Sequence, residues 1–569
     1  MISLWRRRGK RAESEGSIVV EGARKATGGR QKNRVVLTMA VFFGIYGAIA
    51  GRLIYLGLQD PESGGGPESR VTASRPDIVD RNGEVLATDI KTASLFAEPR
   101  RIVDADEVIE KLSTVLPDID VEQTYHKLKS GAGFVWLKRQ LTPRQQAEIF
   151  QLGLPGIGFR TEKRRFYPAG ATAAHIVGLT NIDNKGIAGL EKYIDDQGLA
   201  DLQASGLAVA EDLKPVKLSI DLRVQHIVHD ELAQGMERYH AIAAGAVVLN
   251  AKTGEVVAMA SLPDYDPNNP YNAHEKDRLN RMSAGVYEMG STIKSFTTAM
   301  ALDSGLANLE SRFDASRPLR IGRFTIKDFH GKGRVLTLPE VFIYSSNIGS
   351  AKEADMVGIE GHREFLKRLG LLDRMKTELP EVASPTEPKE WKKVHSITIS
   401  FGHGMSTTPL QTAVGAAALM NGGKLIEPTF LPRTQAEADM VAEQVLKPST
   451  VDQMRYLYRL NAEKGSGRRA EVPGFRVGGK TGTAEKVVNG RYSSDKRFNA
   501  FLAAFPMDDP QYVVLTIIDE PKPEKPGVGA TAGLNAAPML ANIIRRSAVL
   551  LGVKPEFGHE SGATVVSYQ

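Results

Sequence analysis

The chain has 569 residues, no cysteine and a formal charge of +6 at pH 7, with 42% hydrophobic and 25% charged residues. This length predicts at least two folded domains, and the composition is that of a globular protein. The absence of cysteine excludes disulfides, thiolate nucleophiles and zinc–thiolate sites. Residues 1–34 carry a net +7, from ten Lys or Arg against three Glu, which leaves −1 for the rest of the chain. We therefore expect no nucleic-acid binding, because the folded part lacks a basic surface.

Residues 35–58 form an apolar run that contains one charge, Arg52. About 20 apolar residues cross a bilayer, so the run is long enough to span one. The basic arm before it predicts that residues 1–34 are cytoplasmic and that the chain after about residue 58 is outside. A cleaved signal peptide is the alternative, since Ala48-Ile49-Ala50 resembles a cleavage site. The apolar run continues past that site, which favours an uncleaved single-pass anchor.

Residues 59–70 are rich in Pro, Gly and acidic side chains and predict a flexible linker. The first extracellular domain is expected over residues 71–215. Within it, Asn82-Gly83 lies between apolar runs and predicts a tight hairpin, and Val103–Leu116 has a helical pattern. These residues contain no coherent catalytic set, so the pattern indicates a positioning domain.

A second domain is expected over residues 216–551, followed by a C-terminal tail over 552–569. Strands at both ends with helices between them predict one antiparallel sheet, whose edge hairpins are separated in sequence by a helical subdomain. The overall prediction is therefore an α+β fold. The predicted helices are Val224–Tyr239, Ser291–Leu302, Thr408–Met420 and Ala537–Leu551, and the predicted strands are Ala244–Asn250, Glu255–Ala260, Phe498–Phe505 and Tyr512–Ile518.

Three short motifs follow one another in the second domain: Ser291–Lys294, Ser345–Asn347 and Lys480–Thr483. The S-x-x-K spacing also occurs at Ser493–Lys496, and K-T-G also occurs at Lys252–Gly254. Context separates them, because the first motif opens an apolar helix and the third belongs to a strand. The competing copies lie in a polar segment and in a hairpin turn.

S-x-x-K with S-D-N and K-T-G is the signature of penicillin-binding proteins and class A β-lactamases, and Ser345-Ser346-Asn347 stands here in the place of S-D-N. A serine hydroxyl needs a neighbouring base, and a lysine serves if burial and nearby positive charge lower its pKa. This chemistry predicts Ser291 as the nucleophile and Lys294 as the base. Lys480 would supply a second positive charge, and Ser345 would relay a proton toward the leaving amine.

The remaining site residues are expected to bind substrate. Asn347 can hydrogen-bond a substrate amide, and the strand segment Thr481, Gly482 and Thr483 suits a terminal carboxylate beside Lys480. The backbone N–H groups of Ser291 and Thr483 are the expected oxyanion hole, worth roughly 3–4 kcal/mol per donor. No metal site or cofactor is expected, because the candidate histidines are scattered without ligand spacing: His330, His362, His395 and His403.

The motif segments Tyr287–Lys294, Ser345–Asn347 and Gly479–Ala484 resemble those of the class B penicillin-binding proteins, the monofunctional peptidoglycan D,D-transpeptidases. The resemblance covers nearly the whole chain. It extends to the start of the pedestal domain at Arg75–Gly83 and to the following residues and segments: His175, Gly178, Gly186, Gly189, Leu190, Glu191, Met259–Asn268, Gly402–Gly404 and Thr408–Gln411. Gly479–Lys486 and Phe498–Lys522 look most like the cell-division enzyme. The local departures are Met289, Pro76 and His403, which stand where the family often has other residues.

This resemblance implies an elongated pedestal domain followed by a serine β-lactamase-like transpeptidase domain, anchored in the bacterial inner membrane with the catalytic part in the periplasm. It implies cross-linking of peptidoglycan stem peptides at the septum, with release of D-Ala and inhibition by β-lactams. The implied partners are a polytopic membrane glycan polymerase and other division proteins. An elongation-type transpeptidase, a D,D-carboxypeptidase or β-lactamase, and a penicillin-sensing receptor or inactive scaffold are the alternatives.

Overall fold

The computed structural model describes residues 36, 39–52, 75–199, 213–322, 324–488 and 490–557. The chain divides into two units, Met1–Val71 and Thr72–Gln569. In the first unit, the predicted anchor is described only at 36 and 39–52, where the chain is helical. Among the described residues, no helix combines the length and apolar character needed to cross a bilayer. The basic arm, the linker and most of the predicted tail lie outside the described residues.

The N-terminal part of the second unit is built on a mixed sheet. Its order is β3-β2-β1-β7, and β4 pairs with the long strand β2 over Thr88–Ala97, a stretch that includes the residues paired with β3. The predicted hairpin around Asn82-Gly83 joins β1 to β2 in antiparallel register. The strands are β1 Ile78–Val79, β2 Val85–Ala97, β3 Val135–Leu141, β4 Ile157–Phe166, β5 Leu179–Thr180, β6 Gly186–Ala188 and β7 Val216–Lys217, and the helices are α1 Ala105–Val115, α2 Val121–Leu128, α3 Pro143–Gln151, α4 Ala174–Val177 and α5 Gly189–Ile194.

Two separate cores stabilise this part of the unit. The outer one packs α1, α2 and α3 against β2 and β3 through residues such as Leu95, Leu112 and Ile149. Other buried apolar residues of this part, including Ile78 and Leu190, belong instead to the large core that packs against the second sheet. Burying apolar area contributes roughly 25 cal/mol per Å². The continuous core therefore fixes these residues against the part of the unit that carries the predicted site.

The second sheet has the order β16-β17-β18-β8-β9, and all its pairings are antiparallel. It confirms the predicted sheet with hairpins at its two edges and an intervening helical subdomain. Its strands and the smaller ones of the subdomain are β8 Ala243–Asn250, β9 Val256–Leu262, β10 Arg312–Asp314, β11 Leu319–Ile321, β12 Phe324–Ile326, β13 Val335–Thr337, β14 Lys424–Leu425, β15 Glu443–Gln444, β16 Gly478–Val488, β17 Arg491–Phe505 and β18 Tyr512–Asp519.

Both faces of this sheet are covered, which explains why its central strands are apolar without alternation. Val248 and Val514 face a core shared with α6 and α15. Val247 and Leu515 face the larger core of the helical subdomain. The helices are α6 Leu222–Tyr239, α7 Lys294–Asp303, α8 Leu338–Ile343, α9 Asn347–Val357, α10 Ile359–Arg368, α11 Lys393–Ser400, α12 Pro409–Ala418, α13 Gln435–Val441, α14 Pro448–Lys464 and α15 Ala536–Ser547.

Two predicted elements differ from the structure. The helix expected from Ser291 begins as a 3₁₀ turn, Gly290–Ile293, and becomes α-helical only at Lys294. The polar segment around Ser493 was expected between strands, but it is part of β17. The segment is a strand because its backbone pairs with β16. Its polar side chains are not typical of a strand, so the sequence pattern does not predict one.

Candidate active site

Ser291 lies in the 3₁₀ turn Gly290–Ile293, directly before α7. Residues three apart eclipse in a 3₁₀ turn, so Ser291 and Lys294 still share one face. The backbone N–H of Lys294 donates to the carbonyl of Ser291, which closes the turn. Ser291 is partly exposed, whereas the Lys294 side chain is fully buried. The turn therefore presents a hydroxyl to solvent and keeps its neighbouring amine inside.

Lys294 Nζ donates to three oxygens that surround it. They are Ser345 O at 2.6 Å, Ser345 Oγ at 3.1 Å and Asn347 Oδ1 at 2.7 Å. Burial lowers the pKa of Lys294 to about 7, although the nearby charges of Asp328 and Glu353 oppose the shift. A lysine with such a pKa is partly neutral near pH 7 and can accept a proton.

Ser345 stands between two lysines. Its Oγ accepts from Lys294 Nζ at 3.1 Å and from Lys480 Nζ at 2.9 Å. Ser345 has φ of 55°, a left-handed conformation that is uncommon for a residue with a Cβ and clusters at functional sites. Burial, and then the charge of Lys294, lower the pKa of Lys480 well below its ordinary value. The structure thus brings Lys294, Ser345 and Lys480 together in one hydrogen-bonded chain.

Asn347 is held by the protein at both ends of its amide. Its Oδ1 accepts from Lys294, and its Nδ2 donates to the carbonyl of Lys327 at 3.0 Å. It is the first residue of α9, whose N-cap is Ser346. The Asp328 carboxylate accepts from Ser346 Oγ at 2.8 Å and from Ile348 N at 2.9 Å. Asn347 is therefore fixed beside Lys294, and both ends of its amide are hydrogen-bonded within the protein.

The strand β16 lies against the nucleophile turn because glycines permit the approach. A Cβ on Gly482 would lie 2.4 Å from the carbonyl oxygen of Met289, and one on Gly290 would lie 2.9 Å from the carbonyl carbon of Thr483. Gly290 also has φ of +54°, which side chains rarely adopt. The backbone N–H groups of Ser291 and Thr483 are the expected oxyanion donors. Both therefore belong to segments that are in close backbone contact.

The two threonines of β16 also have partners. Thr481 Oγ1 lies 2.8 Å from Ser466 Oγ, and Thr483 Oγ1 accepts from the N–H of Ala532 at 3.1 Å. A hydroxyl can donate and accept at once. Both side chains can therefore keep these contacts and still donate to a substrate carboxylate beside Lys480.

The competing motif copies lie elsewhere. Lys252 Nζ forms an exposed ion pair with Asp509 at 2.6 Å. Ser493 pairs in register with Lys486 near the tip of the β16–β17 hairpin, and Lys496 forms an ion pair with Glu520. These contacts engage the side chains of both lysines in surface ion pairs rather than in a buried chain.

The candidate histidines have separate environments. His362 is buried, with Nδ1 2.9 Å from Ser396 Oγ, and burial lowers its pKa to about 4. His403 Nδ1 lies 3.0 Å from Glu288 Oε2. In the part of the chain that the structure describes, no group of three His, Cys, Asp or Glu side chains is arranged to hold a metal.

Sequence reasoning missed three acidic side chains near the site. Glu353 is fully buried below Lys294, where Thr298 Oγ1 donates to it at 3.0 Å and burial raises its pKa to about 8. Asp328 fixes the start of α9, and Glu288 lies on the nucleophile segment. Glu288 stands inside a motif segment and could have been considered, whereas Asp328 and Glu353 carry no signal in their local sequence.

Comparison with known proteins agrees with this arrangement. Residues 244–545 match the penicillin binding protein transpeptidase domain, and residues 70–198 match the penicillin-binding protein dimerisation domain. Similar proteins include the probable peptidoglycan D,D-transpeptidase FtsI of Caulobacter vibrioides, 40% identical over 501 residues, which cover 86% of this chain and 84% of the relative. The probable peptidoglycan D,D-transpeptidase PenA of Neisseria meningitidis is 35% identical over 506 residues, 85% of each chain.

The peptidoglycan D,D-transpeptidase FtsI of Escherichia coli K12 is 30% identical over 522 residues, 86% of this chain and 87% of the relative. These relatives match the chain across both of its family domains. The order of the two domains and the buried lysine–serine–lysine chain beside Ser291 agree with the class B resemblance. The chain belongs to the penicillin-binding protein transpeptidase family.

Proposed function

We propose that this protein is a peptidoglycan D,D-transpeptidase that cross-links stem peptides during cell division. The observation that carries the proposal is the hydrogen-bonded chain Lys294–Ser345–Lys480, next to Ser291 and the strand β16. The family match and the relatives named as D,D-transpeptidases support the activity. The names of the Caulobacter and Escherichia coli relatives support the division type.

In the proposed reaction, Ser291 Oγ attacks the carbonyl carbon of the penultimate D-Ala and gives its proton to the neutral amine of Lys294. Lys294 then gives this proton to Ser345, while Ser345 passes its own proton to the amine of the terminal D-Ala, and the C–N bond breaks to leave an acyl-enzyme and a neutral Lys294. An amine of a neighbouring stem attacks this ester, loses a proton to the same chain and releases Ser291. Lys480 with Thr481 and Thr483 would bind the terminal carboxylate, and Gly482 lets this strand approach the nucleophile turn.

Acylation by penicillin tests the assignment of the nucleophile. We expect mass spectrometry of the labelled, digested protein to place the adduct on Ser291, and Ser291→Ala to remove labelling. Ser493→Ala is the matched control, because it removes the serine of the competing motif, and it should label normally. Labelling that survives Ser291→Ala, or an adduct on Ser493, would refute the assignment.

Two further experiments distinguish this function from the alternative functions, which are an elongation-type transpeptidase and a D,D-carboxypeptidase. Depletion of the protein followed by microscopy distinguishes division from elongation, because a division enzyme leaves filaments and an elongation enzyme leaves rounded cells. Incubation with a stem-peptide donor and an amine acceptor distinguishes transfer from hydrolysis. Cross-linked product supports the transpeptidase, whereas free acid as the only product would indicate a carboxypeptidase.

We also infer the membrane arrangement and the domain bounds. The sequence supports a single-pass anchor at residues 35–58 in the inner membrane, with residues 1–34 in the cytoplasm and the rest in the periplasm. The family models at 70–198 and 244–545 support a pedestal over 71–215 and a transpeptidase domain over 216–551. Protease treatment of intact spheroplasts should remove the catalytic part and leave the N-terminal arm protected.

Residues 71–215 contain no coherent catalytic set for making glycan strands, so cross-linking calls for a partner that makes them. We infer a polytopic membrane glycosyltransferase, together with other division proteins. Packing between helices in a membrane depends on small residues, and the anchor contains Gly44, Gly47 and Gly51. Replacing residues 35–58 with an unrelated spanning helix of equal length should leave penicillin labelling intact and abolish co-purification with the polymerase. Normal septation by the swapped protein would show that the anchor carries no partner information.

A further inference from the structure

A carboxylate close to the nucleophile has a set of contacts that the proposed reaction does not use. Glu288 Oε1 accepts from the backbone N–H of Gly404 at 2.8 Å and from the hydroxyl of Tyr492 at 3.1 Å. His403 Nδ1 lies 3.0 Å from Glu288 Oε2, and the rings of His403 and Tyr492 meet edge to face with centroids 5.3 Å apart. We call Glu288, His403, Gly404 and Tyr492 the Glu288 clamp.

The clamp joins three segments that are distant in sequence. Glu288 precedes Ser291 by three residues on the nucleophile segment. His403 and Gly404 belong to a loop that presses on the nucleophile turn, because a Cβ on Gly402 would lie only 1.9 Å from the carbonyl oxygen of Gly290. Tyr492 lies on β17 near the tip of the β16–β17 hairpin. One carboxylate therefore holds a loop and a hairpin tip against the turn that carries the nucleophile.

The pairing register of the β16–β17 hairpin shifts close to the clamp. The register of β16 and β17 jumps from Glu485↔Arg497 to Lys486↔Ser493, so extra residues of β17 bulge out before the tip. Bulges increase local twist and re-aim side chains next to active sites. Tyr492 lies between this bulge and the hairpin tip, and its hydroxyl donates to Glu288. The register shift and the hydrogen bond to Glu288 therefore lie close together near the hairpin tip.

The charge states of Glu288 and Tyr492 favour a hydrogen bond that persists near neutral pH. Burial alone would raise the pKa of Glu288, but His403, the N–H of Gly404 and Tyr492 together lower it below its ordinary value. Burial, and then the negative charge of Glu288, raise the pKa of Tyr492. The carboxylate therefore stays ionised and the phenol stays a donor near neutral pH. Hydrogen bonds to an ionised acceptor are about twice as strong as neutral ones.

We propose that Glu288 is a positioning residue for acylation, which holds the 402–404 loop and the hairpin tip against the nucleophile turn and so keeps Ser291 aligned with the substrate carbonyl. This inference rests on the proposed function. Glu288 acts through the turn and need not touch the reacting atoms. A misplacement of about 1 Å can slow an enzymatic step by about 100-fold, so a loosened turn should slow the chemical step more than it weakens binding.

The test separates binding from acylation by rapid mixing of the full-length protein with a fluorescent penicillin. We expect Glu288→Ala to lower the first-order acylation constant by about 10- to 100-fold while the binding constant changes little. Glu288→Gln should recover most of the rate, because its amide oxygen still accepts from Gly404 N–H. Tyr492→Phe should lower the rate by about threefold to tenfold, and this loss should disappear in the Glu288→Ala background because the shared contact is already gone.

Tyr456→Phe is the matched control, because Tyr456 and Tyr492 are both 50% exposed and Tyr456 lies on α14. It should acylate at the normal rate. Normal acylation by Glu288→Ala, or additive losses in the double variant, would overturn the inference. Melting temperatures measured in parallel identify any variant that is unfolded. If Glu288→Ala is unfolded, the acylation rates of Glu288→Gln and Tyr492→Phe decide whether the inference holds. If the unaltered protein forms no adduct at Ser291, the proposed function fails instead.

Discussion

The pKa of Lys294 makes a quantitative prediction about how acylation depends on pH. Burial lowers this pKa from 10.5 to about 7, so about half of the molecules carry the neutral amine at pH 7, against about one in 3000 for an ordinary lysine. Only the neutral amine can take the proton of Ser291. The acylation rate should therefore fall about tenfold for each pH unit below about 7 and level off about one unit above it.

The neighbouring anion provides a second way to move the same titration. Asp328 is the largest contribution that raises the pKa of Lys294 against the effect of burial. In Asp328→Asn the side chain can still accept from Ile348 N, so the start of α9 should persist. Because the negative charge is lost, the ammonium form of Lys294 becomes less stable. The midpoint of the pH–rate profile should therefore move toward lower pH.

Stopped-flow acylation with a fluorescent penicillin, at constant ionic strength from about pH 5.5 to about pH 8.5, measures both effects. Glu310→Gln is the control, because Glu310 is an exposed acid of the same helical subdomain, and its profile should coincide with that of the unaltered protein. A flat profile over this range would show that Lys294 is not the titrating base. A shift of the Asp328→Asn midpoint to higher pH would show that its charge acts on another group.

Three further substitutions, the first of them with a matched control, test separate parts of the structure. Lys480→Ala should slow acylation by about 100-fold or more, because it removes the buried amine that donates to Ser345 and lies beside the proposed site of the substrate carboxylate, whereas Lys252→Ala removes a surface ion pair and should label normally. Gly482→Ala should abolish labelling, because its Cβ would lie 2.4 Å from a carbonyl oxygen of the nucleophile segment. Glu191→Ala should lower the free energy of unfolding by about 3–5 kcal/mol in urea titrations, because the buried Arg165 and Arg75, which lie 2.6 and 2.8 Å from Glu191, would each lose one of their carboxylate partners.

The parts of the fold that the sequence predicts are those with a local signal. The apolar runs 244–250 and 512–518 lie within central strands covered on both faces, and an apolar run of that length is recognisable without knowledge of its partners. The S-x-x-K spacing works for a similar reason, because residues three apart share a face in a 3₁₀ turn as well as in an α-helix. The error at the start of α7 therefore did not affect the expected proximity of Ser291 and Lys294.

The contacts that the sequence did not predict depend on segments that meet only in the folded chain. Asp328 precedes Asn347 by 19 positions and lies in a polar loop, so nothing local indicates that it fixes the start of α9. The extension of β17 through Tyr492 is polar and gains its strand character from backbone pairing with β16. Such features follow from tertiary contacts, which override local propensity.

The three glycines around the nucleophile show why a short motif can nevertheless identify this site. Gly290, Gly402 and Gly482 come from three segments, and a Cβ added to any of them would clash with a backbone atom. The closest approach is 1.9 Å, between a Cβ on Gly402 and the carbonyl oxygen of Gly290. The chemistry requires a serine, a lysine and a strand to converge, and that convergence brings three backbones too close for side chains. The steric requirement and the catalytic requirement therefore fall on adjacent positions. The glycine of the competing K-T-G copy, Gly254, is also tightly packed, but a Cβ there would lie 2.9 Å from the carbonyl oxygen of Glu427, and not against the nucleophile turn.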